Sequence, residues 1–184
     1  MAQQAQNAGA EFIYGASFVD FIYDDNKICG AKYKAENKTK KVNCKLVADC
    51  SGIPSVARRK LPVSSVVENA PLTNKDILYV VLYYVTYNDK SINPTDLNGF
   101  FMQYKSWFAP AGEGYDGLMG IGAFFSYDYA EAVFDEHFTK NAKVPEYTLL
   151  KTEKGMTPYH RNLTSTVDDG FIAMGDAAFL TKPT

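Results

Sequence analysis

The stretch that decides the fold is residues 170–178, which read Gly-Phe-Ile-Ala-Met-Gly-Asp-Ala-Ala. A short apolar strand runs here into a turn of small residues, which let a backbone approach a ligand closely. Asp176 stands just past that strand, where its carboxylate can accept hydrogen bonds from sugar-like hydroxyls. The two alanines suit the start of a helix, whose free N–H groups favour a phosphate. Alone, the stretch also fits an ordinary turn from a strand to a helix.

A second stretch of this kind lies at residues 49–59, Asp-Cys-Ser-Gly-Ile-Pro-Ser-Val-Ala-Arg-Arg. It comes after the apolar run 46–48, which predicts a buried strand. Gly52 allows a tight turn, Ser55 can cap the segment after it, and Arg58 can reach a phosphate or an acidic partner. A strand followed by a polar turn therefore occurs twice in the chain.

Both stretches resemble motifs of the FAD-dependent oxidoreductases that are built like the aromatic hydroxylases. In those flavoproteins the Asp of the Gly-Asp motif contacts the ribityl chain, and the helix after it faces the pyrophosphate. The hydroxylases usually have Asp-Gly where this chain has Ser51-Gly52. Here the carboxylate comes earlier, at Asp49, which favours the reductase branch. The resemblance also puts Pro183 near the isoalloxazine ring. It implies FAD as the cofactor, held by Asp49, Gly52, Ser55, Arg58, Gly175, Asp176, Ala177, Ala178 and Pro183.

An aromatic segment carries a third resemblance, at residues 104–110, Tyr-Lys-Ser-Trp-Phe-Ala-Pro, ahead of the glycines at 112–122. The geranylgeranyl reductase family has Tyr-x-Trp-x-Phe-Pro followed by glycine pairs. Its Gly-x-x-Pro also matches residues 155–158. The flavin-dependent halogenases have a related Trp-x-Trp-x-Ile-Pro, whose first Trp is absent here. The resemblance covers almost the whole chain and implies a pocket for an apolar substrate, lined by Tyr104, Trp107, Phe108 and Pro110.

The aromatic segment has one residue more between Tyr104 and Trp107 than the family motif. Because side chains alternate along a strand, these two would point to opposite faces unless a bulge intervenes. We therefore expect either a bulge at Lys105-Ser106 or a pocket that keeps Trp107 and loses Tyr104, and we favour the bulge.

Residues 112–117 spell Gly-x-Gly-x-x-Gly but do not form a dinucleotide fingerprint. Such a fingerprint follows a buried strand and opens a helix. This one comes after Pro110 and runs into the strand-like segment 117–125, so we predict a hairpin turn. The family's true fingerprint would precede Met1. We interpret the chain as a section of a larger flavoenzyme, and expect the isolated chain to be inactive and to hold little or no FAD.

Composition narrows the class of protein. An apolar fraction of 46% and a net charge of −2 fit a globular protein and lack the basic footprint of a nucleic-acid-binding protein. Cys29, Cys44 and Cys50 are odd in number and have no metal-like spacing, so we expect reduced thiols and no metal site. For Cys50 the alternatives are a redox-active thiol within the flavin-type stretch and a small buried side chain, and we favour the buried side chain. The longest apolar run, residues 77–87, is too short for a bilayer, which takes about 20 residues. We expect a cytoplasmic protein, with peripheral membrane contact left open.

The order of elements predicts an α+β fold, with an antiparallel substrate-domain sheet and a helix, plus parts of an FAD-binding α/β domain with a small β-meander. The expected domains are 1–62, the partial FAD-binding domain; 63–165, the substrate-binding sheet; and 166–184, the return to the first. Ala130, Val133, Phe134 and Phe138 share one face of the second predicted helix. The predicted helices are 1–8 and 128–142, and the predicted strands are 10–14, 17–23, 28–34, 41–48, 77–87, 100–108 and 117–125.

The leading hypothesis is a flavin-dependent oxidoreductase similar to geranylgeranyl reductases and electron-transfer flavoprotein–quinone dehydrogenases. It would reduce C=C bonds of an isoprenoid lipid, or pass electrons between a donor protein and a quinone. No catalytic residue is assigned, as expected where a flavin carries the hydride. The alternatives are a flavin monooxygenase or halogenase, and a non-enzymatic module that binds a lipid or a partner. The partners expected are a small-molecule or lipid substrate and an electron-donor protein.

Overall fold

The computed structural model describes residues 1–93, 105–139 and 144–181. The chain divides into two compact units, each described by itself. Unit 1 is Met1–Ala70 with Leu163–Ala178, and unit 2 is Pro71–Asn162 with Phe179–Thr184. Within the described ranges, no helix is long and apolar enough to cross a membrane.

Unit 1 begins with a short helix and a three-stranded antiparallel meander. Helix α1 (Ala2–Asn7) ends before Gly9, whose φ is +94°. Strands β1 (Ser17–Asp24), β2 (Lys27–Ala35) and β3 (Lys38–Asn43) pair in chain order. The first hairpin turns at Asp25-Asn26 and the second at Glu36-Asn37, all four residues having positive φ. Two such residues in a two-residue loop match the twist of the strands, so the predicted strands 17–23 and 28–34 pair as a hairpin.

A second small sheet in unit 1 brings together segments distant in sequence. Strand β4 (Val47–Asp49) pairs in parallel with β10 (Phe171–Ala173), which pairs antiparallel with β9 (Val167–Asp168). Phe171 is fully buried and packs edge-on against Phe21 of the meander. The two strand-and-turn stretches of the sequence therefore end side by side.

Unit 2 is built on a four-stranded antiparallel sheet. Its strands are β5 (Ile77–Tyr87), β6 (Lys105–Ala109), β7 (Gly117–Ala123) and β8 (Tyr147–Pro158), in the spatial order β6-β7-β5-β8. Strands β6 and β7 form a hairpin with Ala109 opposite Leu118. The predicted hairpin turn at 112–117 is thus confirmed.

Helix α2 (Tyr127–Phe134) covers one face of this sheet. Ser126 caps it by accepting a hydrogen bond from the Tyr129 N–H at 3.1 Å. The helix widens into a π-helical turn, Asp135–Thr139. All four residues predicted for its apolar face are buried: Ala130, Val133, Phe134 and Phe138.

The α+β class is confirmed at the level of mainly antiparallel sheets with few helices. Two predictions of local structure are wrong, and one strand was missed. Residues 10–14 form no strand, and the predicted strand 41–48 is divided between β3 and β4. Strand β8 was not predicted, because half of its residues are polar and most of its positions are exposed. The first part of the predicted strand 100–108 lies outside the described residues.

Candidate functional site

The polar centre of unit 1 is Asp49, the last residue of β4, which is 3% exposed. One carboxylate oxygen accepts hydrogen bonds from the Ser51 N–H at 2.9 Å and the Ser51 hydroxyl at 2.6 Å. The other accepts from the backbone N–H of Ala57 at 3.0 Å and of Arg58 at 2.6 Å. Asp49 therefore fixes the turn that comes after its own strand.

Arg58 is 1% exposed and makes its described hydrogen bonds within unit 1. Its guanidinium donates to the Ser55 hydroxyl at 3.0 Å and to the carbonyl oxygens of Glu68 and Ala70. Burial lowers the pKa of Arg58, and the nearby Asp49 carboxylate partly offsets that effect. The cation is thus held by neutral oxygens with Asp49 close by.

Ser55 joins the first motif to the second. It is fully buried, with a φ of +46°, and its hydroxyl oxygen lies 3.4 Å from the Ala177 carbonyl oxygen. The backbone adds a second link, since the Met174 N–H donates to the Asp49 carbonyl at 3.0 Å. The two motifs therefore form one structure at the ends of β4 and β10.

The Gly-Asp motif presents a more open surface than the Asp49 turn. Gly175 has a φ of +60°, and a Cβ placed on it would meet nothing within 4 Å. Asp176 is half-buried, and burial raises the pKa of its carboxyl. Ala177 and Ala178 are fully buried. Residues Gly175–Ala178 form a short 3-10 turn rather than the start of a helix.

The geometry around Gly175 fits a hydroxylated ligand chain. An open glycine lets backbone and ligand come close, and the half-buried carboxylate of Asp176 beside it is an acceptor for hydroxyl groups. Gly52 is similarly uncovered, since a Cβ there would meet only Pro54 at 3.9 Å. The predicted residues 49–58 and 175–178 thus lie together, and Pro183 lies outside the described residues.

A second candidate surface is the face of the unit 2 sheet opposite α2, here called the open face. Strand alternation puts the core residues Val81 and Val85 on the helix side and Leu82 and Tyr84 on the open face. Trp107 stands opposite Gly120, which stands opposite Leu82. Leu82, Tyr84 and Trp107 are all half-buried.

The Trp107 ring packs directly against Gly120. A Cβ on Gly120 would come within 2.2 Å of the indole, so only glycine lets the ring lie flat across β7. The pairing of β6 with β7 is regular from Lys105 to Ala109. The bulge predicted at Lys105-Ser106 is therefore wrong.

The predicted substrate residues do not share one face. Phe108 packs edge-on against Phe138 on the helix side, whereas Trp107 lies on the open face. Pro110 is exposed beyond the end of β6, and Tyr104 lies outside the described residues.

A polar group not predicted from the sequence lies along the β8 edge of the open face. The Tyr84 hydroxyl donates to Glu153 at 2.9 Å, and Glu153 pairs with Lys151. The Lys151 ammonium also lies 5.1 Å from the centre of the Tyr84 ring. The hydrogen bond to Glu153 raises the pKa of Tyr84. Leu82 and Tyr84 are two positions apart in β5 and so share one face of the strand, and this spacing was the signal in the sequence that could have identified the face.

The likeness of this chain to known proteins lies in its fold. No protein-family model matches the chain, and no curated protein sequence matches it. Among solved structures, a geranylgeranyl bacteriochlorophyll reductase-like protein from Thermoplasma acidophilum matches with a TM-score of 0.79 and 23% identity. That match covers 99% of this chain and 46% of the other, so this chain spans just under half of that protein's length.

Two flavin-dependent enzymes match at lower scores. A flavin-dependent brominase matches with a TM-score of 0.62 and 18% identity, over 96% of this chain and 47% of the other. The myxobacterial chondrochloren halogenase, described as FAD-dependent, matches with a TM-score of 0.62 and 19% identity, over 98% of this chain and 44% of the other. At these identities the likeness establishes a shared fold: the chain has the fold of part of these proteins.

Proposed function

We propose that this chain is part of an FAD-dependent oxidoreductase that reduces C=C bonds of an isoprenoid lipid or passes electrons to a quinone. The observation that carries the proposal is the open face, where the Trp107 ring lies over Gly120 beside Leu82. An apolar, half-covered sheet face suits a flat or extended apolar molecule. Fold likeness at a TM-score of 0.79 to a reductase-like protein supports it.

Two sets of residues in unit 1 would have different roles in binding FAD. Gly175 and Asp176 would take the ribityl region, because one offers open backbone and the other a half-buried acceptor. Asp49, Ser55 and Arg58 would build the neighbouring turn, since their hydrogen bonds run within the chain. When bound, the flavin would supply the hydride or electron transfer.

The open face would orient the acceptor and keep water from it. Leu82, Leu118 and the Trp107 indole offer apolar surface, while Tyr84, Glu153 and Lys151 offer hydrogen-bonding groups along the β8 edge. Such a face suits an amphiphile with an apolar chain and a polar head. A lipid acceptor would also bring the protein to a membrane surface, so peripheral membrane contact and an electron-donor protein belong to this proposal.

The test uses the complete protein that contains this chain. Flavin released by heat is identified by chromatography, and we expect FAD. The protein is then reduced anaerobically with dithionite and mixed with geranylgeranyl diphosphate or a short-chain quinone. We expect flavin reoxidation with either a gain of two hydrogen atoms per reduced C=C bond or formation of quinol, measured by mass spectrometry.

A matched pair of variants tests the open face. Leu82→Gln should raise the KM for the apolar acceptor and leave the flavin content unchanged, because Leu82 lies on the open face of unit 2. Val66→Gln, at a 64% exposed valine of unit 1, is the control and should change neither. Absence of flavin would overturn the cofactor assignment. Reoxidation by oxygen alone, with NAD(P)H consumption, would favour a monooxygenase or halogenase instead.

A further inference from the structure

Two of the three cysteines face each other across the meander of unit 1. In the antiparallel ladder of β2 and β3, Gly30 stands opposite Asn43. The next pair outward is Cys29 and Cys44, and the Cys44 N–H donates to the Cys29 carbonyl at 2.9 Å. That hydrogen bond extends the ladder by one pair beyond the end of β3, so the two cysteines are directly opposed.

The spacing of such a pair suits a disulfide. Opposed residues joined by ladder hydrogen bonds have Cα atoms about 5.5 Å apart, with both side chains on one face. Disulfides form where the Cα atoms are about 4.4–6.8 Å apart, most often at about 5.5–6 Å. The Cα spacing therefore allows an S–S bond here, and the Cβ atoms, about 4.5–5.5 Å apart in opposed pairs, would have to approach to about 3.5–4.5 Å.

A β-bulge at Cys29 leaves its thiol weakly held, so the thiol is available for thiol–disulfide exchange. The pairing of β1 with β2 shifts between Ile22 and Tyr23, which leaves Cys29 as the extra residue on β2. Bulges of this kind re-aim a side chain. The Cys29 thiol now donates to the Ile22 carbonyl at 3.5 Å, a weak bond that is easily given up. Both thiols are half-buried, and β3 is an edge strand, so an oxidant can reach them.

We propose that Cys29 and Cys44 form a reversible intramolecular disulfide. Cys50 lies beyond the end of β4 and is exposed, which corrects the expectation of a buried side chain there. It stands outside the β2–β3 ladder and opposite neither of the other two. Of the three pairings that three cysteines allow, the ladder supports one.

The chemistry balances with a small disulfide such as glutathione disulfide as the oxidant. The thiolate of one cysteine attacks glutathione disulfide, releases one glutathione and forms a mixed disulfide. The second thiolate attacks the protein sulfur of that mixed disulfide and releases the second glutathione. Two thiols lose two electrons and two protons, and one glutathione disulfide becomes two glutathione thiols.

Formation of the bond would act on the strand that carries Asp49. Cys44 lies between the end of β3 and the start of β4 at Val47. Oxidation would tie this connection to β2 and hold the entry to β4 in place. The proposal is independent of the flavin assignment, because it rests on the ladder alone.

The test equilibrates the purified protein in glutathione buffers of graded composition, blocks free thiols with iodoacetamide and maps peptides without reduction. We expect a linked pair of peptides containing Cys29 and Cys44, lighter by two hydrogen atoms. The ratio of oxidised to reduced pair should follow the ratio of glutathione disulfide to the square of glutathione. Cys50→Ser should keep the link, and Cys29→Ser and Cys44→Ser should each abolish it.

Other results would overturn the proposal. These are a link between Cys50 and either other cysteine, glutathione adducts on all three cysteines without a link, or no oxidation of the pair at any buffer composition. If a serine variant fails to fold, the peptide map of the unaltered protein alone decides.

Discussion

Two carboxylates lie at or just past the ends of neighbouring parallel strands of unit 1, and their surroundings differ. Asp49 ends β4, is 3% exposed and accepts four hydrogen bonds from its own chain. Asp176 lies just past β10, is half-buried, and sits beside a glycine whose side-chain position is open. Burial raises the pKa of Asp176.

The contrast separates two uses of one residue type. A carboxylate surrounded by donors of its own chain fixes a turn, and the donors would be left unsatisfied without it. A half-buried carboxylate beside open backbone can accept hydrogen bonds from the hydroxyl groups of a bound molecule. We therefore expect Asp49 to act on stability and Asp176 on FAD binding.

The largest effect should come from Asp49→Ala. The buried N–H groups of Ala57 and Arg58 would lose their acceptor, at about 1–3 kcal/mol each, so the free energy of unfolding should fall by roughly 2–6 kcal/mol. Urea denaturation measures this. Asp169→Ala is the control, because the described side-chain contact of Asp169 is an exposed ion pair with Lys27, of the kind worth about 0–1 kcal/mol. An equal fall in the free energy of unfolding for both variants would contradict the stabilising role of Asp49.

Ser55→Ala tests whether the Asp49 turn is a connected structure. The variant removes the hydroxyl that accepts from the Arg58 guanidinium at 3.0 Å and lies beside the Ala177 carbonyl. The free energy of unfolding should fall by about 1–3 kcal/mol, because a buried cationic donor loses an acceptor. The exposed Ser64 supplies the control as Ser64→Ala. An unchanged denaturation midpoint would mean that the turn holds without this hydroxyl.

Asp176→Ala tests the open carboxylate. In the complete protein it should weaken FAD binding by about 1–3 kcal/mol, because a charged acceptor is removed from hydroxyl donors. Flavin retained after dialysis, measured by absorbance, gives the result. Stability without FAD should change much less than in Asp49→Ala. Unchanged flavin retention would remove Asp176 from the cofactor site.

The smallest effect concerns pH. Because burial raises the pKa of Asp176 above its ordinary 3.8, the folded state binds a proton more tightly than the unfolded chain. The contribution to stability is fully present below pH 3.8 and is lost as the pH rises through the folded pKa. Asp176→Asn should therefore stabilise the protein relative to the wild type at about pH 7 and much less below pH 3.8. Thermal denaturation of both proteins across pH checks this, and a gain that is the same at every pH would contradict it.

The sequence was most informative where local chemistry and structure agree. The turn residues Asp25 and Asn26 adopt the left-handed conformation that their type favours. The apolar spacing of α2 predicted which of its side chains are buried. Pattern and turn chemistry are properties of short segments, so they could be read without the fold.

The features that the sequence could not supply depended on distant partners. Strand β8 has a polar pattern and is ordered by pairing with β5 along the full length of that strand. Asp49 looked like a ligand for a cofactor, yet its partners include Ala57 and Arg58, brought to it by the turn. Trp107 and Phe108 were both predicted to line one pocket, but the regular pairing of β6 with β7 puts them on opposite faces, and Phe108 packs against Phe138 from a later segment of the chain.

The stacking of Trp107 on Gly120 gives the molecule an optical label of its own. Trp107 is the only tryptophan of the chain, so tryptophan emission from this chain arises on the open face alone. An apolar ligand that displaces water from the indole will shift that emission to shorter wavelength. Titration with unlabelled apolar compounds can therefore report occupancy of the open face without an added probe.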